Sequence, residues 1–176
     1  MDSESTSKAN ALTNLMSRLP YPVTIVTARV GERQRGITIG SFTSLSLDPP
    51  LISFNVDQEA QMHDFIFQAS HFAVHIPEQN QTHLCNRFAE ADRSGKEQFK
   101  NIAHIHNEHG TPILEDLTYI HCKKYAMFEI GDHSIVVGEV LNIEKRKENM
   151  GVLYHNRSYR RVGKPAAKIA SQEDKE

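Results

Sequence analysis

Cysteine is scarce. Cys85 and Cys122 are the only two, and they stand far apart with no paired spacing. That excludes a disulfide framework and a zinc ribbon, and leaves two buried or half-buried thiols in a reducing compartment. An excess of either charge is also missing: 20 Lys and Arg stand against 22 Asp and Glu, a formal net charge of −2. Such a chain has no electrostatic reason to seek nucleic acid or an acidic membrane surface. No apolar run approaches the roughly 18 residues of a membrane-spanning helix. Met1 to Asn10 is polar and contains acids, unlike a signal or transit peptide. A soluble, cytoplasmic protein is the expectation. The common nucleotide loops are absent as well. No G-x-G-x-x-G opens a helix after a strand, and there is no G-x-x-x-x-G-K-S/T, so a nucleotide cofactor would have to be held another way.

What is present reads as one domain. Leu12, Leu15, Met16 and Leu19 recur at helical spacing before Pro20. The period then changes to two. Strands are expected over Val23–Val30, from about Gly36 to Leu45, over Leu51–Val56 and over His71–Ile76, with a polar turn from Gly31 to Arg35 and a stop at Asp48-Pro49-Pro50. Met62, Phe65, Ile66 and Ala69 mark one helix face, and Leu84, Arg87, Phe88 and Ala91 a second. Arg93 to Asn101 is charged and adds a further turn of helix, and Asn107 to Pro112 is a loop. Two long strands, Thr118–Ile130 and Ser134–Lys145, join at Gly131-Asp132-His133; a hairpin, Val152–His155 and Ser158–Val162, turns at Asn156-Arg157. Residues 1–10 and 164–176 are polar and expected to be disordered, leaving 11–163 as the folded domain. The fold class is therefore mainly β with α insertions: antiparallel strands with helical crossovers in a closed or partly closed barrel.

The most informative segment is Gly36-Ile-Thr-Ile-Gly-Ser-Phe-Thr-Ser-Leu-Ser-Leu-Asp-Pro-Pro50. It packs Thr38, Ser41, Thr43, Ser44 and Ser46 beside glycines. Glycine lets a ligand approach the backbone, and hydroxyls with free N–H groups can hold a phosphate or the polar edge of a ring without a formal charge. By composition alone the segment reads first as a Ser/Thr-rich edge strand ending in a Pro-Pro stop.

This segment resembles the signature strand of the flavin reductase-like family, whose FMN-binding split β-barrel pairs such a strand with a Pro-Pro turn. Tyr21-Pro-Val-Thr-Ile-Val-Thr27 resembles the family's opening strand, and Leu51-Ile-Ser-Phe-Asn-Val-Asp57 the strand after the turn. Phe72-Ala-Val-His-Ile76, Gln81, Arg87-Phe88-Ala89, Gly110-Thr-Pro-Ile-Leu114, Cys122, Gly131-Asp-His-Ser-Ile-Val-Val-Gly-Glu-Val140 and Leu153-Tyr-His155 follow in the family's order. The likeness covers roughly residues 12 to 162.

The resemblance implies a homodimer that binds FMN or FAD without a covalent link, uses NAD(P)H as co-substrate and passes reduced flavin to a monooxygenase. Carried over by position, Thr38, Ile39, Gly40 and Ser41 would line the isoalloxazine edge and ribityl chain. Asn55, Val56, Asp57 and Gln61 would meet the ribityl or phosphate end. Arg87 and Phe88 would approach the flavin from the second helix, Tyr154 and Tyr159 would border the pocket, and His133 would stand beside the nicotinamide. Many relatives carry Asp-Arg-x-Ser-x-Thr where this chain has Asp57-Gln58-Glu59-Ala60-Gln61-Met62. The phosphate would then fall to Arg87, Arg33, Arg35 or backbone N–H groups.

Other features have simpler readings. Gly131-Asp132-His133 alone is a hairpin turn. His104, His106 and His109 with Glu108 form a local cluster whose spacing suits neither one helix face nor a zinc finger, so no metal site is expected. Cys85 and Cys122 read as small core residues. Beside the NAD(P)H-dependent flavin reductase stand two alternatives: a flavin carrier without nicotinamide chemistry, and an FMN-dependent oxidase of a small molecule.

Overall fold

The structure, a computed structural model, describes residues 3–146 and 151–163. In chain order the elements are α1 (Ser3–Met16), β1 (Tyr21–Pro22), β2 (Thr24–Val30), β3 (Arg33–Ile39), β4 (Thr43–Leu47), β5 (Pro50–Asp57), α2 (Gln61–Gln68) and β6 (His71–Ile76). A 3-10 turn (Gln79–Gln81) leads into α3 (Thr82–Ala89) and α4 (Gly95–Phe99), followed by β7 (His104–His106), β8 (Pro112–Leu114), β9 (Thr118–Ile130), β10 (His133–Glu144), β11 (Leu153–His155) and β12 (Ser158–Arg160). The main sheet has seven strands in the order β3-β2-β6-β9-β10-β5-β4; β1-β11-β12 and β7-β8 form two small sheets. Every described strand pair is antiparallel.

β2 shows how the sequence builds the core. Successive side chains of a strand point to opposite faces. Val26 and Ala28 therefore enter the barrel interior with Phe54, Val56, Met62, Ile66, Phe72, Val74 and Val136. Val23 and Ile25 point the other way, against Leu84, Cys85, Phe88, Phe99, Leu114 and Val152. The strand is buried on both faces because α2 closes one side and α3 the other. Phe54 and Phe72 meet edge to face with centroids 5.5 Å apart. Burying each ring contributes about 2–3 kcal/mol. Gly138 makes room for this pair: a Cβ there would overlap the Phe72 ring and lie 3.0 Å from Cys122 Cβ. Both cysteines are buried, and desolvation pushes their thiols up, Cys85 to about 11 and Cys122 to about 12. They are inert core groups, as expected.

Several boundaries differ from the sequence reading. α1 starts at Ser3, inside the segment expected to be disordered. Ala9 and Ala11 favour helix, whereas the apolar spacing becomes legible only at Leu12. The single strand expected over Gly36–Leu45 is two, with a break at Gly40–Phe42, and β3 starts at Arg33 because the turn needs only Gly31 (φ +59) and Glu32. Pro50 opens β5 instead of stopping its neighbour. His104–His106, given no element in the sequence reading, is strand β7. The hairpin at Asn156-Arg157 is as expected, both residues having positive φ. The tail 164–176, and Lys147–Glu148 of the charged tract after β10, lie outside the described residues.

Candidate active site

The site grows from the outer face of β5. Its alternation buries Ile52, Phe54 and Val56 in the barrel and leaves Asn55 and Asp57 exposed. In an antiparallel pair, residues directly opposite share a face. Asn55 therefore lies beside Ile135 of β10, and Asp57 beside His133. On the other side, Ser41 follows the end of β3. Its Oγ accepts from the Asn55 N–H (2.9 Å) and donates to the Asn55 carbonyl (3.3 Å). One hydroxyl thus joins the Gly40–Phe42 break to β5, and Thr43 and Ser44 remain exposed beside it.

His133 stands at the β9–β10 turn. Its Nδ1 lies 2.7 Å from Asp132 Oδ1. That hydrogen bond, then the aspartate's own backbone N–H and the nearby imidazole charge, hold the Asp132 carboxyl below the ordinary carboxylate range. In the neutral imidazole an ionised acceptor favours the proton on Nδ1, which leaves Nε2 as the acceptor. The turn is fastened to the end of β5 from behind. Gln58 donates its backbone N–H to Asp132 O (3.0 Å) and its side-chain amide to His133 O (3.2 Å). Asp57 Oδ1 accepts from Glu59 N–H (2.8 Å), closing the turn that leads to α2. Gln61 is exposed at the first position of that helix, whose N-cap Ala60 supplies no side-chain cap. Sequence reasoning missed Gln58, and also His63, whose Nε2 lies 2.9 Å from Ser134 Oγ beneath the same turn.

A third group meets Gly40. A Cβ built on this exposed glycine would meet Tyr21 Cβ at 3.5 Å, Pro22 O at 3.8 Å and Tyr21 Cγ at 4.0 Å, all ordinary contacts. Packing within the chain therefore does not demand glycine here, as it does at Gly36, where a Cβ would lie 2.5 Å from Phe88 Cδ1. Tyr21 pairs with Tyr154, and Tyr154 with Tyr159, so all three rings share a face. The Tyr154 and Tyr159 centroids are 5.7 Å apart. Burial, then the neighbouring Cys85 and Tyr154, push the Tyr159 phenol up to about 12. The Tyr21 hydroxyl is buried without a hydrogen-bond partner. Tyr21 was not among the expected site residues; its family segment was noticed, but only the structure sets it against Gly40.

Five expected residues are placed differently. Ile39 and Val56 turn their side chains into the core, so only their backbone reaches the face. Thr38 points to the opposite side and donates to Cys85 O (2.7 Å). Phe88 is a core ring, edge to face with Phe99 at 5.2 Å. Arg87 donates to three carbonyls at the end of α4: Gln98 from Nε (2.7 Å), Glu97 (2.9 Å) and Lys100 (2.6 Å) from Nη2. Nε and Nη2 of its guanidinium are thus directed at holding α4. Of the other two arginines, Arg35 is buried and donates to Ala91 O (3.2 Å), and Arg33 lies over the Phe65 ring at the far end of β3.

The Ser41, Thr43 and Ser44 hydroxyls and the exposed backbone at Gly40 give this face polar groups without a formal charge. Known proteins give the chain its family. The family described as Flavin reductase like domain matches residues 16–163. The reductase component of 4-hydroxyphenylacetate 3-monooxygenase from Thermus thermophilus is 33% identical over 156 residues, covering 89% of this chain and 98% of that protein. The flavin reductase HpaC, solved in complex with NADP+, is 34% identical with a TM-score of 0.81, over 88% of this chain and 97% of that one. The NADH:FAD oxidoreductase SgcE6 of Streptomyces globisporus, solved with NAD and FAD fragments, is 30% identical with a TM-score of 0.82, over 92% and 96%. The chain belongs to the flavin reductase-like family, and its fold is the split barrel of those relatives.

Proposed function

We propose that the protein is an NAD(P)H-dependent flavin reductase acting on FMN or FAD. One observation carries this reading: Ser41, Asn55, Asp57 and His133 converge on the outer face of β5 and β10, in a chain whose relatives are named as flavin reductases. The nicotinamide supplies a hydride and the flavin ring accepts it, so catalysis is mostly the positioning of two stacked rings.

The chain's own groups have distinct tasks. The backbone at Gly40 and the Ser41 hydroxyl border the ring and ribityl chain, with Asn55 beside them. Tyr21, Tyr154 and Tyr159 border the same face. His133 Nε2 accepts from the nicotinamide carboxamide, since Asp132 fixes the other nitrogen as donor. With Arg87, Arg35 and Arg33 engaged elsewhere, the phosphate end relies on Gln61 and the uncapped N–H groups of α2. That is a weak anion seat, and Asp57 and Glu59 flank it. It favours a flavin that leaves after reduction over one that stays. The recipient is a monooxygenase, as the name of the Thermus relative describes for that protein.

The same reading includes a homodimer in the cytoplasm. Phe128 (55% exposed) and Ile130 (59% exposed) continue the site face across β9, and Leu12 (60% exposed) and Leu15 of α1 find no cover among the described residues. A second copy would bury these apolar groups. Among the described residues no helix is long and apolar enough to cross a membrane. A monomer in sedimentation that still binds FMN stoichiometrically would overturn the dimer.

The activity is tested by following NADH oxidation with and without added FMN. Turnover only with added flavin supports the diffusible-flavin reductase. A protein that retains flavin yet never consumes NADH or NADPH would make it a carrier.

A further inference from the structure

Five histidines, His71, His104, His106, His109 and His121, are not used by the flavin face. In sequence, His104, His106, Glu108 and His109 look like one cluster, but the fold separates them. His104 and His106 lie on β7 and share the Gln34 side-chain amide, at 3.0 and 2.7 Å. His109 turns instead toward β6 and β9. Its ring stacks on His71 with centroids 3.9 Å apart and lies 5.1 Å from the ring of His121. His71 and His121 are themselves 5.6 Å apart.

We propose that Glu108, His109 and His121 form a binding site for a zinc-class divalent transition ion. One donor atom from each lies within 4.8 Å of the others. His109 Nε2 is already 3.9 Å from Glu108 Oε1. Ligand bonds of about 2.0–2.2 Å place tetrahedral donors roughly 3.4 Å apart, so an ion needs the loop to close by about an ångström. Glu108 and His109 are exposed side chains on that loop and can make this movement. An independent observation also points to a ligand. His121 is only 3% exposed, and its Nε2 is buried with no hydrogen-bond partner. A buried imidazole nitrogen without a partner is costly unless something occupies it.

The donor chemistry selects the ion. Two imidazoles and one carboxylate suit Zn2+ and its first-row neighbours, whereas Mg2+ and Ca2+ prefer oxygen ligands throughout. Asn107 Oδ1 holds the loop by accepting from His109 N–H (3.0 Å) and Thr111 N–H (2.9 Å). His71 packs on both histidine ligands as an outer wall, and Ser70 Oγ lies 3.0 Å from its Nδ1. Glu108 is the anion of the set. Arg29 beside Gly110 and Lys123 beside His71 are the opposing cations. Three protein ligands leave a fourth position facing solvent, and the bound ion would tie the Asn107–Gly110 loop to β9. His121 lies nine residues along β9 from Ile130, the partner of His133, or about 30 Å at strand rise. The site is therefore separate from the flavin face.

The test uses the full-length, untagged chain, stripped with EDTA and freed of the chelator. Zn2+ is titrated against a chromophoric competitor, and Co2+ is added separately to read its visible absorption. One saturable equivalent of Zn2+ per chain is expected, with Co2+ bands typical of low coordination and a melting temperature raised by Zn2+. His109→Ala and Glu108→Gln should each weaken Zn2+ binding at least tenfold, and His106→Ala should leave it unchanged. His121→Ala should abolish it; if that variant fails to fold, the two exposed positions carry the test. NADH oxidation by His109→Ala in the presence of FMN should match the wild type. The proposal is overturned if neither ion binds saturably, if His109→Ala binds Zn2+ like the wild type, or if His106→Ala loses the ion.

Discussion

His133 and Asp57 face each other across the β5–β10 ladder, in the register that also sets Ile135 against Asn55. This pairing places the imidazole beside the hydroxyl-lined end of β5, although the two residues are 76 positions apart in the chain (133 − 57). Under the proposed function, the two halves of the reaction would have separate residues: Ser41 and Asn55 on the flavin side, His133 and Asp132 on the nicotinamide side.

That division is testable at His133. His133→Ala should raise KM for NAD(P)H by about fivefold, the value of one hydrogen bond near 1 kcal/mol, and by up to about 100-fold if a charged phosphate is the partner. Flavin affinity should stay within a few-fold, because a contact made by one ligand affects only that ligand. Steady-state kinetics at saturating flavin, together with an FMN titration, separate the two. Loss of FMN affinity with unchanged NAD(P)H kinetics would assign the residue to the other ligand.

Ser41 distinguishes space from hydrogen bonding. Ser41→Leu puts a branched side chain where the ring must lie and should weaken FMN binding by more than tenfold in a folded protein. Ser41→Ala loses only the bonds to Asn55 and should cost about 1 kcal/mol of stability with a smaller effect on affinity. Fluorescence titration and urea unfolding of both variants give the comparison. Equal FMN affinity for Ser41→Leu and the wild type would remove this strand from the site.

Arg87 should behave as a structural residue. Arg87→Met removes three donors to the end of α4 and should lower stability by about 1–3 kcal/mol, a range discounted for its partial exposure. FMN affinity of the folded variant should change only a few-fold. Unchanged stability with a tenfold loss of affinity would return Arg87 to the phosphate.

The contrast between Ser41 and Arg87 shows what the sequence discloses. Strand alternation and turn residues were legible, so β5, β6, β9, β10 and the Asn156-Arg157 hairpin lie close to where they were expected. Family likeness pointed to segments that the fold brings together on the β5–β10 face. It did not show which face each side chain takes. Thr38 and Ile39 are neighbours in one motif, yet a period of two sends one to Cys85 and the other into the barrel. Arg87 and Phe88 fit the helix face expected of them, but the carbonyls and rings they meet come from α4, a short helix whose packing has no periodic signal. The fold regroups the histidines in a way the sequence does not display. His121 and His71 join His109 only through strand pairing, while His104 and His106, adjacent in sequence, are taken by Gln34.

A pH dependence of stability follows from His75, which is fully buried on β6. Its Nε2 accepts the Leu114 N–H (3.0 Å), so its Nδ1 carries the proton and donates to Ile25 O (3.1 Å). Desolvation lowers its pKa to about 4, against an opposing pull from that carbonyl. The unfolded chain, near the ordinary 6.5, takes up the proton first as pH falls. Stability is therefore full above about pH 6.5, declines between 6.5 and 4, and levels off below, a loss of roughly 3 kcal/mol from this group. Urea midpoints at pH 7, 5 and 4 should show the decline, and His75→Gln, which keeps a donor and an acceptor, should flatten it. The same slope in both proteins would place its origin in another group.

The central claim, hydride transfer on the face built by Ser41, Asn55 and His133, is met most directly by anaerobic mixing of the protein and FMN with NADH or NADPH while flavin absorbance is followed. The account predicts rapid bleaching with the wild type, none above the uncatalysed rate with Ser41→Leu, and bleaching with His133→Ala that recovers as the nicotinamide concentration is raised. No bleaching by the wild type with either nicotinamide, or equal bleaching by wild type and Ser41→Leu, would contradict it.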